Sequence, residues 1–158
     1  MIPVIAVFAQ LLLAVAGYVA ACAAVGAFAA ATVAASVGPD AVISVAAGTG
    51  IRPSPDAIAF GIAAGIGAGV TGFFPGLVAI AFAEAFAIRS LFYYLAVAVP
   101  VAVLLAGPDA ILSPSVHPAV ADVPFLIACG TVAGFTYWLV AGHRAGRWRR
   151  TLSAPAPD

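Results

Sequence analysis

Residues 3 to 37 read PVIAVFAQLLLAVAGYVAACAAVGAFAAATVAASV, an apolar run interrupted only by Gln10, Thr32 and Ser36. Wound into a helix at about 1.5 Å per residue, it is longer than the roughly 30 Å hydrocarbon core of a bilayer. It must therefore tilt, bend near Gly17 or Gly26, or project beyond the lipid. A cleaved leader has a basic start and a short apolar core, whereas Met1-Ile2-Pro3-Val4 is uncharged and the run continues to Val37. The expectation is a retained transmembrane helix.

The rest of the chain has the same character. Of 158 residues, 65% are hydrophobic and 8% charged, against about 45–50% and about 25% in soluble domains. Forty are alanine, none is lysine, and the charges are six Arg, five Asp and Glu84. Too few residues remain to cover a globule with water-facing groups. This composition excludes a soluble enzyme, a disordered chain and a nucleic-acid binder, and points to an integral membrane protein. Net charge is zero, so no global field steers a partner.

Three further apolar stretches follow: Ala57 to Phe74, Leu77 to Ala106, and Pro124 to about Gly142. Pro75-Gly76 reads as a helix stop, as does Gly107-Pro108. The expected architecture is all-α, an integral membrane four-helix bundle in one domain over 1–150. Its helices are expected at about 3–36, 57–74, 78–106 and 124–146, followed by a disordered tail at 151–158. The tight Pro75-Gly76 connection makes helices two and three an antiparallel pair. The middle of the first connection, Ala41 to Ala47, could form a short interfacial helix. Gly38-Pro39-Asp40-Ala41-Val42-Ile43-Ser44 is echoed by Gly107-Pro108-Asp109-Ala110-Ile111-Leu112-Ser113. A duplication is one reading of that echo; Gly-Pro stopping one helix and Asp capping the next is the plainer one.

Orientation follows from charge. Arg144, Arg147, Arg149 and Arg150 follow the fourth stretch, and Arg89 lies between helices two and three where the third span begins at Leu91. The other loops carry Asp40, Asp56, Asp109 and Asp122 against Arg52. The positive-inside rule puts the arginine-rich side, and with it both termini, in the cytoplasm.

The second stretch contains Gly61-Ile62-Ala63-Ala64-Gly65 and Gly65-Ile66-Gly67-Ala68-Gly69, two GxxxG units sharing a glycine. Gly61, Gly65, Gly69 and Gly72 stack on one side and expose backbone to a close neighbour. That neighbour is either helix one or three of the same chain, or a helix of another subunit. Helix one offers a smooth surface through Ala20, Ala23, Ala24, Ala27, Ala31 and Ala34.

Glu84 and Arg89 are the two charges in the third stretch, a possible intramembrane or interfacial polar site. Five residues apart on one helix, they point about 140° away from each other. An ionisable group at membrane depth is a candidate proton or substrate site. Alternatively Phe92-Tyr93-Tyr94 marks a headgroup boundary, Leu91 to Leu105 makes a short span, and Glu84 is interfacial. A third possibility is Glu84 buried against an arginine of another helix.

Little else suggests chemistry. His117 and His143 fall on opposite membrane faces, so no metal or haem can use both. Cys22 and Cys129 lie in apolar runs and read as small packing residues. HExxH, phosphate-loop, GxSxG and CxxC motifs are absent from the sequence, and neither catalytic residues, cofactor nor metal is expected. Tyr137 and Trp138 suit an aromatic belt. Arg144, Arg147, Trp148, Arg149 and Arg150 suit anchoring on anionic headgroups, at roughly 1 kcal/mol per Arg.

The stretches AEAFAIRSLFYY (83–94) and YWLVAGHRAG (137–146) resemble small, uncharacterised four-helix inner-membrane proteins of bacteria. The likeness covers roughly the C-terminal half and implies topology alone. The expected function is a non-enzymatic accessory, assembly or scaffold subunit of a bacterial inner membrane, in contact with lipids and other membrane helices. The alternative is a small oligomeric transporter or channel in which Glu84 and Arg89 line a pathway.

Overall fold

The computed structural model describes residues 2–36, 55–105 and 123–146, with side chains at 7–35, 55–104 and 123–146. Four α-helices make up the described chain: α1 (Ile2–Ser36), α2 (Pro55–Phe86), α3 (Leu91–Leu105) and α4 (Val123–Val140). A 3-10 turn at Gly142–Arg144 follows α4. Val7–Ala35, Pro55–Phe86 and Val123–Val140 are each long and apolar enough to cross a membrane, while the apolar part of α3, Leu91–Leu104, is shorter.

The helices are antiparallel to their neighbours and sit in the spatial order α2, α1, α4, α3. Helix α1 packs along α2 on one side and α4 on the other, α3 packs along α4, and α2 and α3 touch little. Apolar side chains give no net drive for helix association in apolar surroundings, so closeness of backbones decides the contacts. A Cβ placed on Gly61 would lie 2.5 Å from the Gly26 carbonyl oxygen, and one on Gly65 would lie 2.9 Å from that of Cys22. Along the α3–α4 seam, a Cβ on Gly130 would stand 2.7 Å from the Val99 Cα, and one on Gly134 2.9 Å from the Tyr94 carbonyl oxygen. Stacked Phe28 and Phe125, with centroids 5.8 Å apart, join α1 to α4 toward one end.

Three helix threonines are satisfied locally. Thr32, Thr71 and Thr131 each donate their hydroxyl to the carbonyl one turn back, at Phe28, Gly67 and Ile127. The back-bonded hydroxyl needs no water.

The expected stop at Pro75-Gly76 does not exist: α2 runs through both residues to Phe86. Proline removes one N–H from the helical ladder, whereas a loop at that depth would strand several polar groups without water. Gly76 has a packing role instead, since its Cβ would press on the Tyr18 ring at 3.2 Å. Pro100 is likewise carried inside α3. The real break comes at Ala87, which adopts φ 51°. Ile88 N–H donates to the Ala83 carbonyl and Ala87 N–H to that of Glu84, the paired bonds of a left-handed helix cap. Ile88 then packs against the core cluster that includes Ala83, in keeping with the apolar contact that accompanies such caps. Residues 77–86 thus belong to α2, and Glu84 and Arg89 are on different elements.

The short segment at Ala41–Ala47, the Gly-Pro-Asp echo, and the 151–158 tail lie outside the described residues.

Candidate functional site

The end of the bundle where α2 stops gathers most of the polar side chains. Gln10 comes from the first part of α1, Glu84 from the last turn of α2, Arg89 from the α2–α3 turn, and Trp138, His143 and Arg144 from the end of α4. All of these are half-buried or more exposed. Glu84 accepts on one carboxyl oxygen from Gln10 Nε2 at 2.8 Å and on the other from Gly146 N–H at 2.9 Å. Arg89 Nε donates to the Ala145 carbonyl at 2.9 Å.

The Ala145 carbonyl and the Gly146 N–H are the two polar groups of one peptide bond. Glu84 and Arg89 therefore grip a single peptide unit from both of its sides. The turn makes this possible. Ala87 swings the chain back over α2, and Gly146, at φ 69°, takes the left-handed conformation that a side chain disfavours. A Cβ on Gly146 would collide with the Ala87 Cβ. Trp138 donates its indole N–H to the Arg89 carbonyl at 2.9 Å, so the α4 end also fixes the turn that carries Arg89. Gln10 adds a longer bond, 3.4 Å, to the Arg144 carbonyl.

A tyrosine layer lies just beneath. Tyr94 is 6% exposed and donates to the Ile88 carbonyl at 3.2 Å, with the Gly142 carbonyl at 3.5 Å. Its ring centroid is 5.4 Å from that of Tyr137. Tyr93 donates to the Ala79 carbonyl at 3.0 Å. The expected headgroup-facing role holds for neither Tyr94 nor Tyr137: both rings are in the core. Phe92, 81% exposed, does point outward. Aromatic type marked this region, but only the helix phase, set by the break at Ala87, decides which rings turn inward.

At the edge, His143 Nδ1 lies 3.2 Å from the Trp138 carbonyl, and Arg144 Nε donates to His143 Nε2 at 3.1 Å. With Nε2 accepting, the ring proton sits on Nδ1 and points to the carbonyl. Arg144 is exposed; Arg147, Trp148, Arg149 and Arg150 lie outside the described residues, as do His117, Asp109 and Asp122.

The glycine face of α2 is used within the chain. Gly61, Gly65, Gly69 and Gly72 all abut α1, while a Cβ on Gly67 would meet nothing within 4 Å. The complementary surface is not the expected alanine set. It is Tyr18, Cys22, Gly26 and Ala30, and Ala23, Ala27 and Ala31 are exposed. Tyr18 donates its hydroxyl to the Gly69 carbonyl at 2.6 Å across this seam. Gly26, whose Cβ would lie 2.6 Å from the Gly61 carbonyl oxygen, marks the contact that alanine counting missed.

Chemically, the polar end holds groups rather than presenting them. Both Glu84 oxygens and the Arg89 Nε are engaged by the fold itself. No protein-family model matches the chain, and neither does any curated protein or solved structure.

Proposed function

We propose that the chain is an integral protein of a bacterial inner membrane that performs no reaction of its own. It acts as an accessory, assembly or scaffold subunit through its outer helix surfaces. The observation that carries this reading is the grip of Glu84 and Arg89 on the Ala145–Gly146 peptide. The two charges a transport pathway would need are instead fastening the end of α4 to the end of α2. The outward stripe of α2 supports it as well: Ile58, Ile62, Ile66, Val70 and Phe74 recur at four-residue spacing and are all exposed. Such a stripe suits lipid or a neighbouring helix.

Arg89 and Arg144 lie at the same end of the bundle as the start of α1, and Arg147, Arg149 and Arg150 follow in sequence. On the positive-inside rule that end faces the cytoplasm, and so do both termini.

Purification of the full chain in mild detergent followed by native mass spectrometry tests the reading. A stoichiometric foreign membrane protein is the expected result. A homo-oligomer alone would contradict it and favour the small transporter or channel. A bare monomer would also contradict it.

A further inference from the structure

Because α2 and α3 part from each other, the four helices border a partly open space of about 330 Å³. That is near the lower end of small-molecule sites, roughly 300–1,000 Å³. The walls are almost wholly apolar, among them Val25, Ala68, Val97, Val101 and Leu126. Along α4 the lining runs from Phe125 to Tyr137, about 18 Å at 1.5 Å per residue. One leaflet of hydrocarbon is about 15 Å deep, half of the roughly 30 Å core.

One polar group in the wall is unused. Tyr137 is 8% exposed, yet its hydroxyl has no hydrogen-bond partner among the described residues. No fully enclosed side-chain polar atom lacks a partner among those residues, so the hydroxyl keeps some accessible surface, and Tyr137 is one of the residues that line the space. Tyr18 and Tyr94, the other tyrosines in the wall, already donate to backbone carbonyls. An unpaired hydroxyl in apolar surroundings wants an acceptor. Tyr137 also sits at the end of the space nearest Glu84 and Arg144, where a lipid's ester oxygens would lie on the membrane reading above.

We propose that this space is a binding site for one acyl chain of a membrane glycerolipid, its ester oxygen accepting from Tyr137 and its tail running along α4 toward Phe125. The inference rests on the proposed membrane setting. Given that setting, the gap between α2 and α3 faces acyl chains, the most concentrated apolar molecules available, and an apolar space of this size suits apolar guests.

The test uses the full chain in phosphatidylethanolamine–phosphatidylglycerol vesicles containing phosphatidylglycerol with a diazirine on one acyl chain. After illumination, labelled positions are mapped by peptide mass spectrometry. Labels at Val97, Val101 or Leu126, in addition to outward Ile62, Val70 and Phe74, are expected. Tyr137→Phe removes a hydroxyl that bonds nothing in the fold, and should lower the inner labels about fivefold, the worth of one ordinary hydrogen bond, with outer labels unchanged. Ala68→Phe, filling the space from the α2 wall, should abolish the inner labels. Labels confined to the outer face would overturn the site, as when a helix of another chain fills the gap. So would unchanged inner labels in Tyr137→Phe, or their displacement by an isoprenoid quinone at a small fraction of the lipid concentration. Failure of the chain to enter vesicles at all would overturn the membrane reading instead.

Discussion

Glu84 and Arg89 hold opposite sides of the same peptide bond: the carboxyl accepts from Gly146 N–H and the guanidinium donates to the Ala145 carbonyl. Five residues apart in sequence, they act together because the helix ends between them. The two bonds lock the segment after α4 onto the segment after α2, and Gln10 ties α1 into the same point.

This arrangement makes the two side chains energetically coupled. Glu84→Ala and Arg89→Ala should each destabilise the protein in detergent by about 1–3 kcal/mol, the cost of stranding a bonded polar group. The double variant should lose less than the sum, with a coupling of about 0.5–3 kcal/mol. Thermal or chemical unfolding of the four proteins measures it, and strict additivity would refute the shared grip.

The left-handed pair Ala87 and Gly146 predicts opposite signs at adjoining positions. Gly146→Ala places a Cβ on Ala87 and forces an unfavourable φ, so stability should fall by about 1–3 kcal/mol. Ala87→Gly relieves a strained φ and opens room, so it should gain a few tenths to about 1 kcal/mol. The same unfolding measurement decides both.

How far the sequence foretold this is clearest in α2. Its glycine face was readable because four-residue spacing is a geometric fact about helices. Its end was not readable, because the signals pointed at Pro75-Gly76 while the real cap is an alanine in a glycine's conformation. Shifting the break from 75 to 87 moved Glu84 to the other side of a turn from Arg89. It also rotated Tyr94 into the core, and no helical-wheel argument could recover that. Gln10 looked like an isolated interruption of α1 because its partner, Glu84, lies 74 positions away.

The α1–α2 seam yields a prediction with a built-in control. Gly65→Leu pushes against the Cys22 carbonyl, which as backbone cannot step aside, and should cut accumulation in the membrane several-fold through a loss of about 1–3 kcal/mol. Gly67→Leu points into open space and should be close to neutral. Quantitative immunoblotting of membranes compares them; equal losses would refute the face assignment.

Orientation can be read with two labels. A reporter fused after Asp158 should be active in the cytoplasm. A cysteine at Asp109, introduced after replacing Cys22 and Cys129, should react with an impermeant maleimide from outside. An externally active C-terminal reporter would overturn the cytoplasmic assignment of the arginine-rich end.

The most direct test of the claim that Glu84 fastens the fold rather than conducts is Glu84→Gln, measured for stability and for proton or cation flux in the same reconstituted vesicles. Glutamine keeps one acceptor oxygen and loses the other, so the account predicts a lowered unfolding midpoint. It also predicts flux at the level of protein-free vesicles for both wild type and variant. A wild-type flux that disappears in Glu84→Gln while the unfolding midpoint stays unchanged would contradict it.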